Sequence, residues 1–280
     1  MECMPVYGLT IYYNSQDKHI ANLLSRACVD YLKLIRECWG VTPPEDCRVY
    51  LMDSWTGFMF HSTPWNWRIL LTLTLPLWGL YVRRLWRSAG GWTQCYGNRV
   101  AVGVKHPVAL LQSRKLSIGI RFFREEVDVE RKFQQIVCHE LSHACTWRLR
   151  LPAWLNEGLA MVAVDRYCGE PTLDIETLEI LENPPPERPR GKSRRLDLDD
   201  IDDLVYTYVR SYWITRYLEA AHPGLIKCLL AEAKPRGDWD AKIGAAIGIA
   251  SGDLWCQINP VVTSYFQGIA GYQSFTELPV

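Results

Sequence analysis

A short motif with two histidines four residues apart constrains this chain of 280 residues more than any other feature. The motif is HELSH, with His139 and His143 at its ends and Glu140 directly after the first histidine. On an α-helix, residues i and i+4 lie on one face about 6 Å apart along the axis, so both imidazole rings can bind one metal ion. Glu140 is rotated by about 100° from His139, and its carboxylate can reach a water molecule on that ion. We therefore expect a helix that carries a hydrolytic metal site.

The sequence around the motif is typical of an amphipathic helix. No proline or glycine interrupts residues 130–149. Apolar residues recur through this segment at helical spacing; they are Phe133, Ile136, Val137, Leu141 and Ala144. This context favours a metal-binding helix over a chance occurrence of the motif.

A third metal ligand is predicted at Glu157, in the segment LPAWLNEGLA that spans residues 151–160. Pro152 suits the first turn of a second helix, so Glu157 would lie near the start of that helix. Two histidines and a glutamate leave the fourth position of a tetrahedral ion for water, as in catalytic zinc sites. We predict one Zn²⁺ ion on this group, with Glu140 as general base. The alternative for Glu157 is an ordinary acid that favours the first turn of a helix.

The two motifs together resemble those of the gluzincin metallopeptidases, in particular the bacterial peptidase MA-like family. In that family HExxH is followed at short range by W-L-x-E-G-x-A, and residues 154–160 of this chain are WLNEGLA. Looser similarity covers residues 91–104, 208–218 and 239–255. The resemblance implies a zincin-like fold and zinc-dependent hydrolysis of peptide bonds, with a peptide or protein as substrate.

The resemblance also implies roles for residues outside the two motifs. Tyr208 is the first candidate to stabilise the oxyanion, with Tyr212 and Tyr206 behind it. The strand at residues 99–104 is expected to line the cleft and to offer an exposed edge to an extended peptide. Met161 stands where thermolysin-like members have an aspartate that supports a histidine ligand, so that support must come from another group.

The order of predicted elements indicates an α+β fold with a small mixed N-terminal sheet, the metal helix and a mainly helical C-terminal half. Predicted strands cover residues 7–13, 48–52 and 99–104, and predicted helices cover residues 17–39, 204–221, 223–233 and 239–247. The predicted organisation is an N-terminal subdomain at 1–150, a helical subdomain with the third ligand at 151–268, a loop at 183–196 and a tail at 269–280.

An apolar, tryptophan-rich insertion is predicted at residues 54–90. Its centre, residues 69–82, is nearly uncharged and is flanked by Arg68 and by Arg83, Arg84 and Arg87. A membrane-spanning helix needs about 20 apolar residues, so this segment is too short and contains a proline besides. Three interpretations stay open: a buried core hairpin or helix, which we favour, an apolar flap over the active site, or an interfacial element on a membrane. Membrane association through residues 69–85 is therefore open but not favoured.

Composition excludes some classes of partner. The chain has 31 basic and 31 acidic residues, whereas a general nucleic-acid binder has a basic surplus. Ten cysteines without a C-x-x-C pair argue against a zinc ribbon, and Cys138 and Cys145 are interpreted as small buried residues. No signal peptide is evident at the N-terminus, so a cytoplasmic location is expected. No sequence feature indicates an oligomeric state.

The sequence thus predicts a zinc metallopeptidase with His139, His143 and Glu157 as ligands and with Glu140 and Tyr208 as catalytic groups. Two alternatives belong to other classes. One is a catalytically silent zinc-binding protein with a regulatory or interaction role, which the intact Glu140 argues against. The other is a membrane-associated processing protease that uses the apolar insertion.

Overall fold

The computed structural model describes residues 1–113, 123–184, 201–233, 237–250 and 252–270. Over these residues the fold is mixed α+β, with a five-stranded sheet in the N-terminal half and a mostly helical C-terminal half, as predicted. The chain divides into two compact units, one formed mainly by residues up to Cys145 and the other mainly by residues after it. The predicted loop at 183–196 and the predicted tail at 269–280 lie almost entirely outside the described residues.

The first half of the described chain contains all the strands and the helix that carries the HELSH motif. Its elements are β1 (Glu2–Val6), β2 (Leu9–Tyr13), α1 (Lys18–Trp39), β3 (Asp46–Met52), α2 (Trp55–Ser62), α3 (Trp65–Leu73), α4 (Leu75–Ser88), β4 (Gly91–Tyr96), β5 (Arg99–Lys105), α5 (Pro107–Ser113) and α6 (Val129–Thr146). The predicted helix at 17–39 is confirmed as α1, and the predicted strands at 48–52 and 99–104 are confirmed as parts of β3 and β5.

The strand order of the sheet is β1-β2-β3-β5-β4, so β1 and β4 lie at its edges. Strands β2, β3 and β5 run parallel, while β1 and β4 each pair antiparallel with their neighbour. Because β5 is paired on both sides, the prediction that residues 99–104 offer an exposed edge is wrong. Residues 91–104 form a hairpin that turns at Gly97, and the outer strand of this hairpin is β4.

Helix α6 is fixed within the N-terminal unit by both apolar and polar contacts. Phe133, Val137 and Leu141 are fully buried on one side of it. The hydroxyl of Ser142 donates to the backbone carbonyl of Cys138 at 2.9 Å and also forms a buried hydrogen bond with the hydroxyl of Tyr31 on α1. Buried hydroxyls need such partners, so this pair helps to set the rotation of α6 about its axis.

The second half of the described chain is helical. Its helices are α7 (Ala153–Cys168), α8 (Glu179–Glu182), α9 (Ile201–Ala221), α10 (Leu225–Ala231), α11 (Trp239–Ile247) and α12 (Leu254–Ala270). The predicted helices at 204–221, 223–233 and 239–247 correspond to α9, α10 and α11. Helix α12 was not predicted at its full length; it continues through Pro260.

The predicted insertion at 54–90 folds into helices α2, α3 and α4. Trp55 and Phe58 of α2 and Val82 of α4 are buried against Tyr50 and Ala101 of the sheet. The favoured interpretation, a buried element, therefore holds for α2 and for one face of α4, whereas α3 and the other face of α4 are largely exposed. None of the described helices combines the length and the apolar character that crossing a membrane requires.

Candidate metal centre

The two histidines of the motif lie on one face of α6, as their spacing predicts. The Nε2 atoms of His139 and His143 are 3.1 Å apart, and the two rings are nearly perpendicular at 89°. If both Nε2 atoms bind one ion, each ring must carry its proton on Nδ1. Helix α6 thus brings two imidazole rings together without help from another element.

Glu157, on α7, completes a group that can hold a metal ion. One ligand atom from each of His139, His143 and Glu157 lies within 4.8 Å of the other two, and Glu157 is buried at 9% exposure. Bonds of about 2.0–2.1 Å around a tetrahedral ion place two ligand atoms roughly 3.3 Å apart. The 3.1 Å between the two imidazole nitrogens fits this spacing, and two nitrogens with one carboxylate oxygen fit the donor set.

Glu157 is positioned by the packing of α7 against α9. The next residue, Gly158, lies so close to α9 that a Cβ atom there would be 2.3 Å from the backbone oxygen of Ser211 and 2.1 Å from Oγ1 of Thr215. A backbone oxygen cannot move aside as a flexible side chain does, so only glycine permits this approach. The Glu-Gly pair of the second motif therefore combines a ligand with the contact that fixes its helix.

Glu140 is held by the edge strand β4. The hydroxyl of Thr93 lies 2.6 Å from Oε2 of Glu140 and 3.1 Å from its backbone oxygen, and the glutamate is buried at 8% exposure. Gly91 leaves room for the same side chain, because a Cβ atom at Gly91 would lie 2.4 Å from Cγ of Glu140. The sequence did not point to Thr93 or Gly91, since 47 residues separate Thr93 from Glu140 and no local pattern links the two.

The three tyrosines proposed for the oxyanion differ in their surroundings on α9. Tyr212 is fully buried, and Tyr206 accepts a hydrogen bond from Nδ2 of Asn259 at 3.0 Å. Tyr208 is half-buried, and its ring makes an edge contact with Phe123 at 6.4 Å between centroids. The phenol of Tyr212 is committed to a buried carboxylate described below, so Tyr208 stays the first candidate.

A second buried acid of α7, Asp165, lies two helical turns beyond Glu157. It accepts hydrogen bonds from the backbone N–H of Thr172 at 2.6 Å, the hydroxyl of Tyr212 at 2.8 Å and the guanidinium of Arg216 at 3.0 Å. Burial raises the pKa of Asp165 to about 6, against the opposing effect of Arg216. Met161, which stands where thermolysin-like proteins have an aspartate, is fully buried in the same helix. The hydrogen-bond donors around Asp165 all belong to the C-terminal unit, so we infer that Asp165 stabilises the packing of that unit.

The cysteines near the motif are buried, as predicted. Cys138 and Cys145 on α6 are at most 8% exposed. Burial raises the pKa of the Cys145 thiol well above its usual range, with nearby Cys47 and Cys28 adding to the effect. Neither cysteine belongs to the group of ligand atoms that could hold a metal ion among the described residues.

Neither the protein-family models nor the curated proteins match this chain when they are searched with its sequence. That His139, His143 and Glu157 could hold a metal ion therefore follows from the positions of their own ligand atoms; these three residues are called the metal-binding group below.

Proposed function

We propose that this protein is a zinc-dependent peptidase of the gluzincin type with a zincin-like fold. The observation that carries the proposal is the grouping of His139, His143 and Glu157, whose ligand atoms lie within 4.8 Å of one another. Two imidazoles and a carboxylate are the ligands of catalytic zinc sites that keep one position open. A metal that serves structure alone is normally enclosed by four protein ligands, and the described residues supply three here.

The burial and the orientation of Glu140 favour a catalytic metal site over a site that only stores a metal ion. A metal site without activity needs no carboxylate next to its histidine ligands, and burying one at 8% exposure costs free energy. The hydrogen bond from Thr93 lowers that cost and orients the carboxylate. The positions of Thr93 and Gly91 thus agree with a glutamate that is held for proton transfer.

The proposed reaction is hydrolysis of a peptide bond. Bound zinc would supply a Lewis acid that polarises the scissile carbonyl and lowers the pKa of water. Glu140 accepts a proton from the attacking water and delivers it to the leaving amine as the C–N bond breaks. Tyr208 donates a hydrogen bond to the oxygen on which negative charge develops.

Strand β4 is the part of the sheet that suits an extended substrate. Within the described residues it pairs only with β5, so its other edge keeps backbone donors and acceptors for a further strand. The same strand carries Thr93 and Gly91, which contact Glu140. A peptide that adds to this edge would run beside the proposed general base.

The test combines a metal assay with peptide cleavage by the full chain. Zinc content is measured by mass spectrometry, and products from a mixed peptide library are identified for the wild type and for Glu140→Gln. We expect one zinc per chain in both proteins, and a loss of turnover of about 10²-fold or more in the variant. Glu157→Ala is expected to lose its zinc.

Glu130→Gln is the matched control, because it makes the same change at an exposed position of the same helix. It should retain both zinc and turnover. Cleavage by Glu140→Gln at the wild-type rate would refute the mechanism, and stoichiometric zinc in Glu157→Ala would remove Glu157 from the ligand set. A wild type that binds zinc but cleaves no library peptide would favour the silent zinc-binding alternative.

A further inference from the structure

Helix α4 has two apolar faces. One face, with Trp78, Val82 and Trp86, packs on the core formed by α2 and the sheet. The other face carries Leu77 and Leu80, which are 83% and 74% exposed. An ordinary surface helix has one apolar and one polar face, so the second apolar face has no role in the packing of the described chain.

Helix α3 also exposes apolar side chains. The apolar side chains that α3 and α4 leave exposed are together called the α3–α4 face; they are Trp65, Trp67, Ile69, Leu70, Leu73, Leu77, Leu80 and Tyr81. Leu73 and Leu77 lie at the connection of the two helices and are among the most exposed. Single exposed leucines are ordinary on a protein surface, but eight exposed apolar side chains on two consecutive helices are typical of an interaction site.

The charges beside this face are basic. Arg68, Arg83 and Arg87 are exposed, and neither Arg83 nor Arg87 forms an ion pair among the described residues. The sequence from residue 54 to residue 124 contains ten lysines and arginines and no aspartate or glutamate. The whole chain has equal numbers of acids and bases, so this stretch, which includes α3 and α4, carries a positive net charge.

We propose that the α3–α4 face docks on an anionic lipid surface. The leucines and the isoleucine enter the boundary between headgroups and acyl chains, the tryptophans lie at the depth that indole rings favour, and the arginines contact lipid phosphates. The helices have 9 and 14 residues, which suits an element that lies on the membrane. A symmetric contact with a second copy suits the face less, because it would bring like charges together.

This proposal does not depend on peptidase activity, and its test uses none. The full chain is sedimented with vesicles of phosphatidylcholine alone and with vesicles that contain roughly one third phosphatidylglycerol. We expect binding to the anionic vesicles, weaker binding to the neutral ones and release at high salt. Leu77→Ser with Leu80→Ser should weaken the binding about tenfold or more, since two leucines no longer enter the apolar layer.

One further variant tests the contribution of charge, and another serves as the control. Arg83→Gln with Arg87→Gln should weaken binding to anionic vesicles by about tenfold and leave binding to neutral ones unchanged. Val127→Ser is the matched control, because Val127 is 71% exposed but lies among the acids Glu125, Glu126 and Asp128. It should bind as the wild type does, and circular dichroism verifies that every variant is folded.

Three outcomes would overturn the proposal. The first is a folded wild type that stays in the supernatant with anionic vesicles. The second is vesicle binding that the leucine pair and the arginine pair leave unchanged. The third is a dimer, detected by light scattering, that the leucine variant dissociates, since the face would then cover a second copy of the chain.

Discussion

The metal-binding group and the α3–α4 face depart from ordinary burial in opposite directions. At and beside the first, the acidic side chains of Glu157 and Glu140 are buried, and at the second the apolar side chains of Leu77 and Leu80 face solvent. Each arrangement costs free energy in the isolated chain, and each agrees with the component proposed to bind there, a metal ion in one case and a lipid surface in the other. In both regions, the residues that point to a binding site are those whose environment contradicts their polarity.

Burial of an acid does not by itself indicate a ligand site, and Asp165 tests the distinction. Its carboxylate is enclosed by Thr172, Tyr212 and Arg216, whereas that of Glu157 lies with two imidazole rings. Asp165→Ala should lower the free energy of unfolding by about 3–5 kcal/mol, because Arg216 would stay mostly buried without its counter-charge. Urea unfolding followed by circular dichroism measures this, the largest effect that we expect on stability.

The control for Asp165→Ala is Asp174→Ala. Asp174 also pairs with an arginine, Arg124, at 2.7 Å, but both side chains are about half exposed. An exposed ion pair contributes about 0–1 kcal/mol, so this variant should be close to the wild type. If the two variants lost the same stability, burial of the Asp165 network would not be the reason for its effect.

Local patterns allowed the metal-binding group to be predicted, because all of its residues lie within one helix and the start of the next. Helical spacing alone places His139 beside His143, and Glu157 follows 14 residues later. The role of β4 was not predicted, since strand order depends on pairing between distant segments. For the same reason no pattern linked Thr93 to Glu140. Strand β1 was missed because ECMPV, with its proline, lacks a regular alternation.

The contact of strand β4 with Glu140 was not predicted, and a substitution of Thr93 tests whether that contact matters for catalysis. Thr93→Val keeps the shape of the side chain but removes the hydroxyl that lies 2.6 Å from Glu140. We expect kcat to fall about tenfold, since an oriented hydrogen bond to a charged group is lost, with KM and zinc content unchanged. Steady-state kinetics on a peptide identified in the library screen gives both constants.

Thr93→Ser distinguishes a positioning role from a structural one. Serine restores the hydroxyl but lacks the methyl group, so it should recover most of kcat if the hydrogen bond to Glu140 matters. Equal losses in the valine and serine variants would indicate that Thr93 acts only through packing in β4.

The smallest effect on stability is expected at the α3–α4 face, where the comparison can be made within one helix. Leu77→Ser with Leu80→Ser should change the free energy of unfolding by no more than about 0.5 kcal/mol, because both side chains are exposed. Val82→Ala, on the packed face of the same helix, should cost about 2 kcal/mol, since Val82 is 3% exposed. Chemical denaturation of the two variants measures the difference. A leucine pair that cost as much as Val82 would mean that its side chains are already covered in solution, and the face would then be part of a folded contact and unavailable to lipid.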